Sequence, residues 1–332
     1  MKVIRANSAG FCWGVERAIQ VAREEARGGE RTVYTDGPLI HNSQMMTALG
    51  REDIREVGNY QSASQLDLPQ DNEKESVVVV RAHGISPTRR KYLKNLGLPF
   101  RDGTCPDVGI IAGKIKAHAE RGYDVVIFGD PEHPEVSGLL GYANERGHVI
   151  TNEEDLNKLP PFNSGVVMVS QSTMFTHEFK DLSLQLSEKY PALVILDTIC
   201  GATKERQSDL LELVNDGADV IVVIGGKHSA NTRKLAKLAA SYDKPTFHIE
   251  TADDIEKETK LVMENLKAIL EEAGMTFKNV IKSSIFVSDM HNFSKINKIY
   301  GQYFNAETAP ARETVEVANL PKFVNVEISV IA

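Results

Sequence analysis

Apolar residues fall along this chain in two rhythms. Short runs such as TVYTDG from residue 32, VVVV from 77, DVVIFGD from 124, VVMV from 166 and DVIVVIGG from 219 have the length and β-branched content of buried strands. Between them a spacing of three and four residues takes over. Val15, Ile19 and Ala22 mark a helix over 13–27, and similar patterns mark helices over 107–120 and about 203–215. Strand, helix, strand in this order predicts open parallel sheets of the α/β class, in which sites gather at the carboxyl ends of strands. Past residue 255 the text predicts helix, strand, helix and a C-terminal strand pair. Val262, Leu266 and Ile269 give that helix its apolar face and Gly274 its stop, while Val324, Val326, Ile328 and Val330 alternate as a half-buried strand does.

Composition narrows the class. The chain has 332 residues, 38 basic and 46 acidic side chains, a formal charge of −8 and three cysteines. Such a length suits two or three compact units without disulfide staples, and the odd, sparse cysteine count points to a reducing cytoplasm. The acidic balance excludes a general binder of nucleic acid or anionic membrane while leaving room for a local basic pocket. No signal-peptide core opens the chain, and no apolar run approaches the roughly 20 residues of a membrane span, so a cytoplasmic protein is expected.

Cys12, Cys105 and Cys200 stand at near-equal intervals of 93 and 95 residues, about one small α/β lobe apart. Each follows a strand-like run (MKVIRA, LPFRD, LVILD) and precedes a helical stretch, and Asp102 and Asp197 lie three residues before the second and third cysteines. A helix N-terminus favours thiolate over thiol, so three convergent thiolates are expected. Without a fourth cysteine they suit zinc completed by a histidine, or an iron–sulfur cluster with one iron left open. No CxxC pair supports an ordinary structural zinc site, which makes the open-iron cluster the sharper expectation.

Three of the nine histidines also follow strand-like runs: His41 in GPLIHN, His83 in VVVVRAHG and His133 in GDPEHPEV. Imidazoles in such turns can donate to phosphate oxygens, which predicts a shared anion site. Glu135, two residues past His133, is a proton donor if burial raises its pKa. Ser172 and Thr173 follow VVMV and add hydroxyl donors. Gly225-Gly226-Lys227-His228-Ser229-Ala230-Asn231-Thr232 resembles a strand, Gly-rich turn and helix N-terminus that cradles phosphate, without the spacing of a Walker A loop. Ser229 and Asn231 are either phosphate donors or a helix cap.

Taken together, GFCWGVERAI, PLIHN, RAHG, GTCPDV, EHPEVSGLLGY, SQST, DTICGATKERQ and GGKHSANTRKL resemble the IspH (LytB) family of 4-hydroxy-3-methylbut-2-enyl diphosphate reductases over residues 1 to about 255. The resemblance implies three α/β lobes in a pseudo-threefold arrangement around a 4Fe-4S cluster held by Cys12, Cys105 and Cys200. The lobes would run over 13–103, 104–195, and 1–12 with 196–255, the third being truncated. It implies an oxidoreductase of the non-mevalonate isoprenoid pathway. Two electrons and two protons remove the allylic hydroxyl as water and give isopentenyl and dimethylallyl diphosphate. Glu135 then matches the proton donor, His41, His83 and His133 the residues around the diphosphate and hydroxyl, Ser172 with Thr173 a hydroxyl position, and Ser229 and Asn231 diphosphate ligands. Ala230 stands where some members carry a second serine. A ferredoxin or flavodoxin is the electron donor so implied, and no GxGxxG fingerprint suggests direct use of a nicotinamide.

The family's last strand and its Ser-x-Pro loop have no counterpart in 256–332. That segment, with its PARETVEVANLPK motif, resembles the second half of the RidA (YjgF) family of enamine and imine deaminases, an α+β half-domain. Arg312 matches that family's substrate-carboxylate arginine and Glu327 its acidic position. A deaminase or a trimeric interaction module working through this tail is the alternative function. A half-sheet of this kind is expected to leave an apolar face uncovered.

Overall fold

In the computed structural model, which describes residues 3–26, 31–58, 66, 75–250, 255–318, 320 and 324–332, four of the five apolar runs become strands buried on both faces, while the run from 219 becomes a strand on which Val222 and Ile224 are exposed. Strands β1 (Arg31–Asp36), β2 (Ile54–Val57), β3 (Glu75–Val80) and β4 (Phe100–Asp102) form a parallel sheet in the order β2-β1-β3-β4. Helices α1 (Trp13–Ala26), α2 (Ser43–Gly50) and α3 (Pro87–Lys94) belong to it. Val77 and Val79 pack with Ala18, Ile19 and Leu49 on one face, whereas Val78 and Val80 pack with Ile85 and Leu93 on the other. A strand covered on both sides has no solvent face, which is why VVVV carries no polar residue.

The second sheet repeats this plan. Strands β5 (Asp124–Phe128), β6 (Gly147–Ile150), β7 (Val166–Ser170) and β8 (Val194–Ile195) are parallel in the order β6-β5-β7-β8. They go with α4 (Pro106–Ala119), α5 (Pro134–Leu140), α6 (Glu153–Asn157) and α7 (Thr176–Lys189). Val125, Ile127, Val167 and Val169 meet Ile111, Ile115 and Leu139, while Val126, Phe128 and Met168 meet Phe179 and Leu186. In each sheet the first strand has its successor on one side and the next strand on the other. Strand order therefore reverses between β1 and β3 and between β5 and β7, the positions at which parallel sheets open a crevice.

A third stretch supplies α8 (Gly201–Asn215), β9 (Ile221–Ile224), α9 (Ala230–Ala240) and β10 (Thr246–Ile249), with β9 and β10 as a two-stranded sheet. Of the three strand-like runs expected before the cysteines, LPFRD gives β4 and LVILD only the two-residue β8. Residues 3–6 of MKVIRA are in no strand, and Val3 and Ile4 are exposed.

The chain divides into two compact units, one running to Ile221 with Gly226–Thr246, the other Val222–Gly225 with Phe247–Ala332. The second unit joins most of β9 and β10 to α10 (Ile255–Glu272), β11 (Lys282–Val287), α11 (Phe293–Tyr300), β12 (Ala311–Glu316) and β13 (Val326–Ile331). The expected C-terminal strand pair is not formed: β12 lies parallel and β13 antiparallel to β11, on opposite sides of it. A hydrophobic core of Met263, Ile285, Val287, Ile296, Tyr300, Val326 and Ile328 joins the two helices to one face of this sheet, where Tyr300 donates to Ser283 at 2.9 Å. The other face is mixed, with Lys282, Glu313 and Glu327 among Phe286, Val315 and Ile331, so the uncovered side is not the apolar one that was expected. The expected junction near residue 255 adjoins 251–254, which lie outside the described residues. Among the described residues no helix is long and apolar enough to cross a membrane.

Candidate functional site

The two reversal points carry the predicted polar side chains. His41 leaves β1, His83 leaves β3 and His133 leaves β5, and their rings meet with centroids 4.4 Å (His41 and His83), 5.6 Å (His83 and His133) and 5.9 Å (His41 and His133) apart. His133 is the N-cap of α5, with Pro134 fixing the first helical residue, and its Nδ1 accepts from the Glu135 N–H at 3.2 Å. Burial, with Arg81 and other cations nearby, lowers the pKa of His41 to about 4 and of His133 to about 3, and puts His83 well below its usual range. All three rings are therefore neutral at pH 7. Since Nδ1 of His133 accepts, its proton sits on Nε2, which is left to donate. His41 Nε2 and His83 Nδ1 are buried without a hydrogen-bond partner, the condition of donors that await a ligand.

Ligating nitrogens of this trio lie within 4.8 Å of one another, a spacing a divalent metal could draw together. The charges argue otherwise. Arg81, only 1% exposed, Arg233 and Lys234 all act on this cluster, and a cationic wall repels a dication and attracts an anion. Lys234 is itself mostly buried, and that burial lowers its pKa. The Gly-rich turn reaches the same place: a Cβ on Gly226 would overlap the His41 carbonyl oxygen, so only glycine lets the two backbones come this close. Ser229 caps α9, accepting from the Thr232 N–H at 3.4 Å, and Asn231 is in that helix's first turn. The cap role is thus filled, and a hydroxyl that accepts there can still donate outward.

Glu135 sits in the first turn of α5 and is 2% exposed. Its carboxylate accepts from the Ser172 N–H at 2.7 Å and the Ser172 hydroxyl at 2.6 Å. Burial raises its pKa, as the sequence led one to expect, and the two Ser172 bonds hold the rise back. Thr173 instead accepts from Gln171 Nε2 at 3.0 Å, and Gln171 Oε1 accepts from the Asp130 N–H at 2.9 Å, locking the two loops together.

The cysteines occupy matching places. Cys105 is the N-cap of α4 and Cys200 of α8, while Cys12 directly precedes α1. All three are free, half-buried thiols. Cys12 acts electrostatically on both others, and Glu135 on Cys200. Cys200 also lies 3.1 Å from the Thr203 hydroxyl, and its N–H donates to the Ser172 carbonyl at 3.0 Å. Gly14 makes room for this grouping, since a methyl at that helical position would overlap the Cys105 sulfur. One expectation is overturned: burial pushes the Cys105 and Cys200 thiols up, outweighing the helix N–H groups that lower them. Thiols held in this way ionise when a metal takes the sulfur.

Three converging sulfurs, no disulfide and no fourth cysteine in the chain fit a cluster with one iron lacking a protein ligand. The sequence reading passed over Arg81, Arg233, Lys234 and Gly14, and had Gly226 only as one residue of a Gly-rich turn, without its approach to His41. Only the run of Gly and Lys in GGKHSANTRKL hinted at a basic phosphate loop, because burial and close approach are long-range properties.

In the tail, Arg312 stacks on Phe293 and Tyr300 and bonds Asn297. It pairs in register with Ser283 on the covered face, whereas Glu327 pairs with Phe286 on the other, so the sheet separates the two residues.

The family described as "LytB protein" matches residues 3–286, reaching beyond residue 255 into the segment that the sequence motifs set apart. The chain is 58% identical over 259 residues to the 4-hydroxy-3-methylbut-2-enyl diphosphate reductase of Opitutus terrae, covering 78% of this chain and 89% of that protein. To the protein of the same name from Alkaliphilus oremlandii it is 35% identical over 277 residues, covering 82% and 94%. A solved structure of an (E)-4-hydroxy-3-methyl-but-2-enyl diphosphate reductase aligns at a TM-score of 0.56 and 34% identity, over 76% of this chain and 86% of that one. The Plasmodium falciparum reductase shares the fold at a TM-score of 0.68 and 23% identity, over 96% and 93%. A family match over most of the chain and relatives aligned nearly end to end leave one assignment: this chain belongs to the LytB family.

Proposed function

We propose that the chain is a 4-hydroxy-3-methylbut-2-enyl diphosphate reductase, with lobes over 13–103, 104–195 and a shortened third of 1–12 with 196–255. The observation that carries this reading is the buried Glu135, held by Ser172, bonded through its N–H to His133 and acting electrostatically on Cys200. Cys12, Cys105 and Cys200 would hold a 4Fe-4S cluster, which supplies single electrons and an iron open to the substrate hydroxyl. The neutral His41, His83 and His133 donate N–H groups to the diphosphate and the reacting hydroxyl, and Arg81, Arg233 and Lys234 balance its charge. Ser229 and Asn231 add donors from the first turn of α9. Glu135, its pKa raised by burial, keeps a proton for the leaving oxygen, and Ser172 aims the carboxyl. In the balance, two electrons and two protons enter, the allylic C–O bond breaks, and water leaves with either isopentenyl or dimethylallyl diphosphate as product.

Anaerobic reconstitution with iron and sulfide tests this. A brown protein with about four irons per chain that reduces the allylic diphosphate is expected. A colourless sample, or one that binds zinc alone, counts against it. The RidA-like tail is read here as a folded piece of this enzyme rather than as a deaminase, because Arg312 and Glu327 stand on opposite faces of one sheet.

A further inference from the structure

Two of the three cysteine loops are braced from within. Cys105 and Cys200 each donate a backbone N–H to a neighbouring loop, at 2.9 Å to the Ala82 carbonyl and at 3.0 Å to the Ser172 carbonyl. Three residues before each stands an aspartate that accepts the N–H two residues on, Asp102 from Thr104 at 3.0 Å and Asp197 from Ile199 at 3.2 Å. The second oxygen of each aspartate takes a cation, Arg90 for Asp102 and Lys204 for Asp197. A side chain that bonds its own backbone in this way fixes the turn that aims the sulfur.

Cys12 lacks these supports. Residues 3–12 belong to no helix or strand, Ala9 stands where the aspartate would be, and among the described residues the Cys12 N–H makes no hydrogen bond. Two contacts, from the Ala9 N–H to the Ala6 carbonyl and from Arg5 to the Ala9 carbonyl, stay inside the loop and tie it to nothing else. The helix of another cysteine does that. Asp209 and Arg206 lie three residues apart on one face of α8, the helix that Cys200 caps. A single oxygen of Asp209, Oδ2, accepts both the Ser8 N–H at 2.6 Å and the Ser8 hydroxyl at 2.7 Å, and Arg206 donates to the Gly10 carbonyl at 2.9 Å. On the far side of Cys12, α1 meets the Cys105 loop, where Arg17 donates to the Thr104 carbonyl at 3.1 Å and Gly14 lies against the Cys105 sulfur. Charge-assisted bonds onto a backbone without secondary structure decide where that backbone sits.

We infer that Asp209 and Arg206 are positioning residues for metal binding: from the helix of Cys200 they clamp the loop of Cys12 and so set its sulfur against the other two. This rests on the cluster assignment under the proposed function. The pair touches no reacting atom and acts through Ser8 and Gly10. A free loop would have to be ordered when its sulfur binds, whereas a clamped one is ordered already on folding.

The test is alkylation of the full, metal-free chain by iodoacetamide under native conditions, with the rate at each cysteine read by peptide mass mapping. Asp209→Ala, and separately Arg206→Met, should raise the rate at Cys12 by about tenfold or more, as loss of a charge-assisted bond allows, and leave Cys105 and Cys200 unchanged. Asp209→Asn, whose one carbonyl oxygen can still take both Ser8 bonds, should stay near the wild-type rate. The two Asp209 variants lose the same charge, so the contrast isolates the hydrogen bonds. An unchanged Cys12 rate, an equal rise at all three cysteines, or an equal rise in the Ala and Asn variants overturns the inference. After reconstitution with iron and sulfide, Asp209→Ala should hold less iron per chain than Asp209→Asn and show an altered visible spectrum. Equal iron and equal spectra overturn the role in metal binding. Should the wild type itself take up no iron, the cluster assignment fails, while alkylation still decides the clamp.

Discussion

A carboxyl group buried beside one hydroxyl and one amide, as Glu135 is beside Ser172, keeps its proton to higher pH than one in water. Glu135→Gln preserves the shape and removes the proton. It should lower kcat by about 10²–10⁴-fold while leaving KM within a few fold, as measured with reconstituted protein. Gly14→Ala tests the sulfur site apart from turnover. The added methyl meets the Cys105 sulfur, so reconstituted iron and sulfide should fall below the wild-type ratio and the visible spectrum should change, whereas the metal-free fold should keep its far-UV circular dichroism. The histidines set a pH dependence. His41 and His133 titrate near 6.5 when unfolded but at about 4 and about 3 in the fold, so between those values the unfolded chain binds more protons. Their contribution to stability is complete above about pH 6.5 and is lost as the pH falls toward 4. Urea unfolding of the metal-free chain at pH 7.5 and 5.0 should show this decline, and His41→Gln with His133→Gln should flatten it.

At the scale of elements, β1 and α3 are clasped by Asp36, which is fully buried and accepts from Arg89 Nε at 2.7 Å and from its second guanidinium nitrogen at 2.8 Å. Removing the carboxylate takes both of these charge-assisted bonds from a mostly buried guanidinium, so Asp36→Ala should cost about 3–5 kcal/mol in chemical denaturation. The strands themselves were plain in the sequence, because a run like Val77–Val80 is apolar at every position only when both faces are covered. The histidines and cysteines were legible for a related reason: each follows a strand and opens a turn or helix, where a parallel sheet exposes its polar ends. What stayed hidden depends on distance through space. The gap at Gly14, the approach of Gly226 to His41 and the burial of Arg81 involve partners far along the chain. Strand partners were hidden too. The pattern gave β12 and β13 as strands, but which one flanks which side of β11 is settled by packing against α10 and α11.

For the whole molecule, the segment from 255 carries its own hydrophobic core, and the fold likeness covering 96% of the chain extends into it. Limited proteolysis should therefore leave 255–318 uncut under conditions that spare α4 and β5, and early cleavage within α10 or β11 would contradict this. The single cysteine near each of three helix starts has a further meaning in polymer terms. Cys12, Cys105 and Cys200 divide the chain into two loops of 93 and 95 residues, and any group bound to all three sulfurs closes both. Closing one loop near 100 residues by a covalent link is worth roughly 4–5 kcal/mol in chain entropy. Removing iron with a chelator should accordingly lower the melting temperature and not merely stop turnover. For a group held by all three sulfurs, oxygen or chelation would act on this protein as a topological cut, freeing two long loops at once.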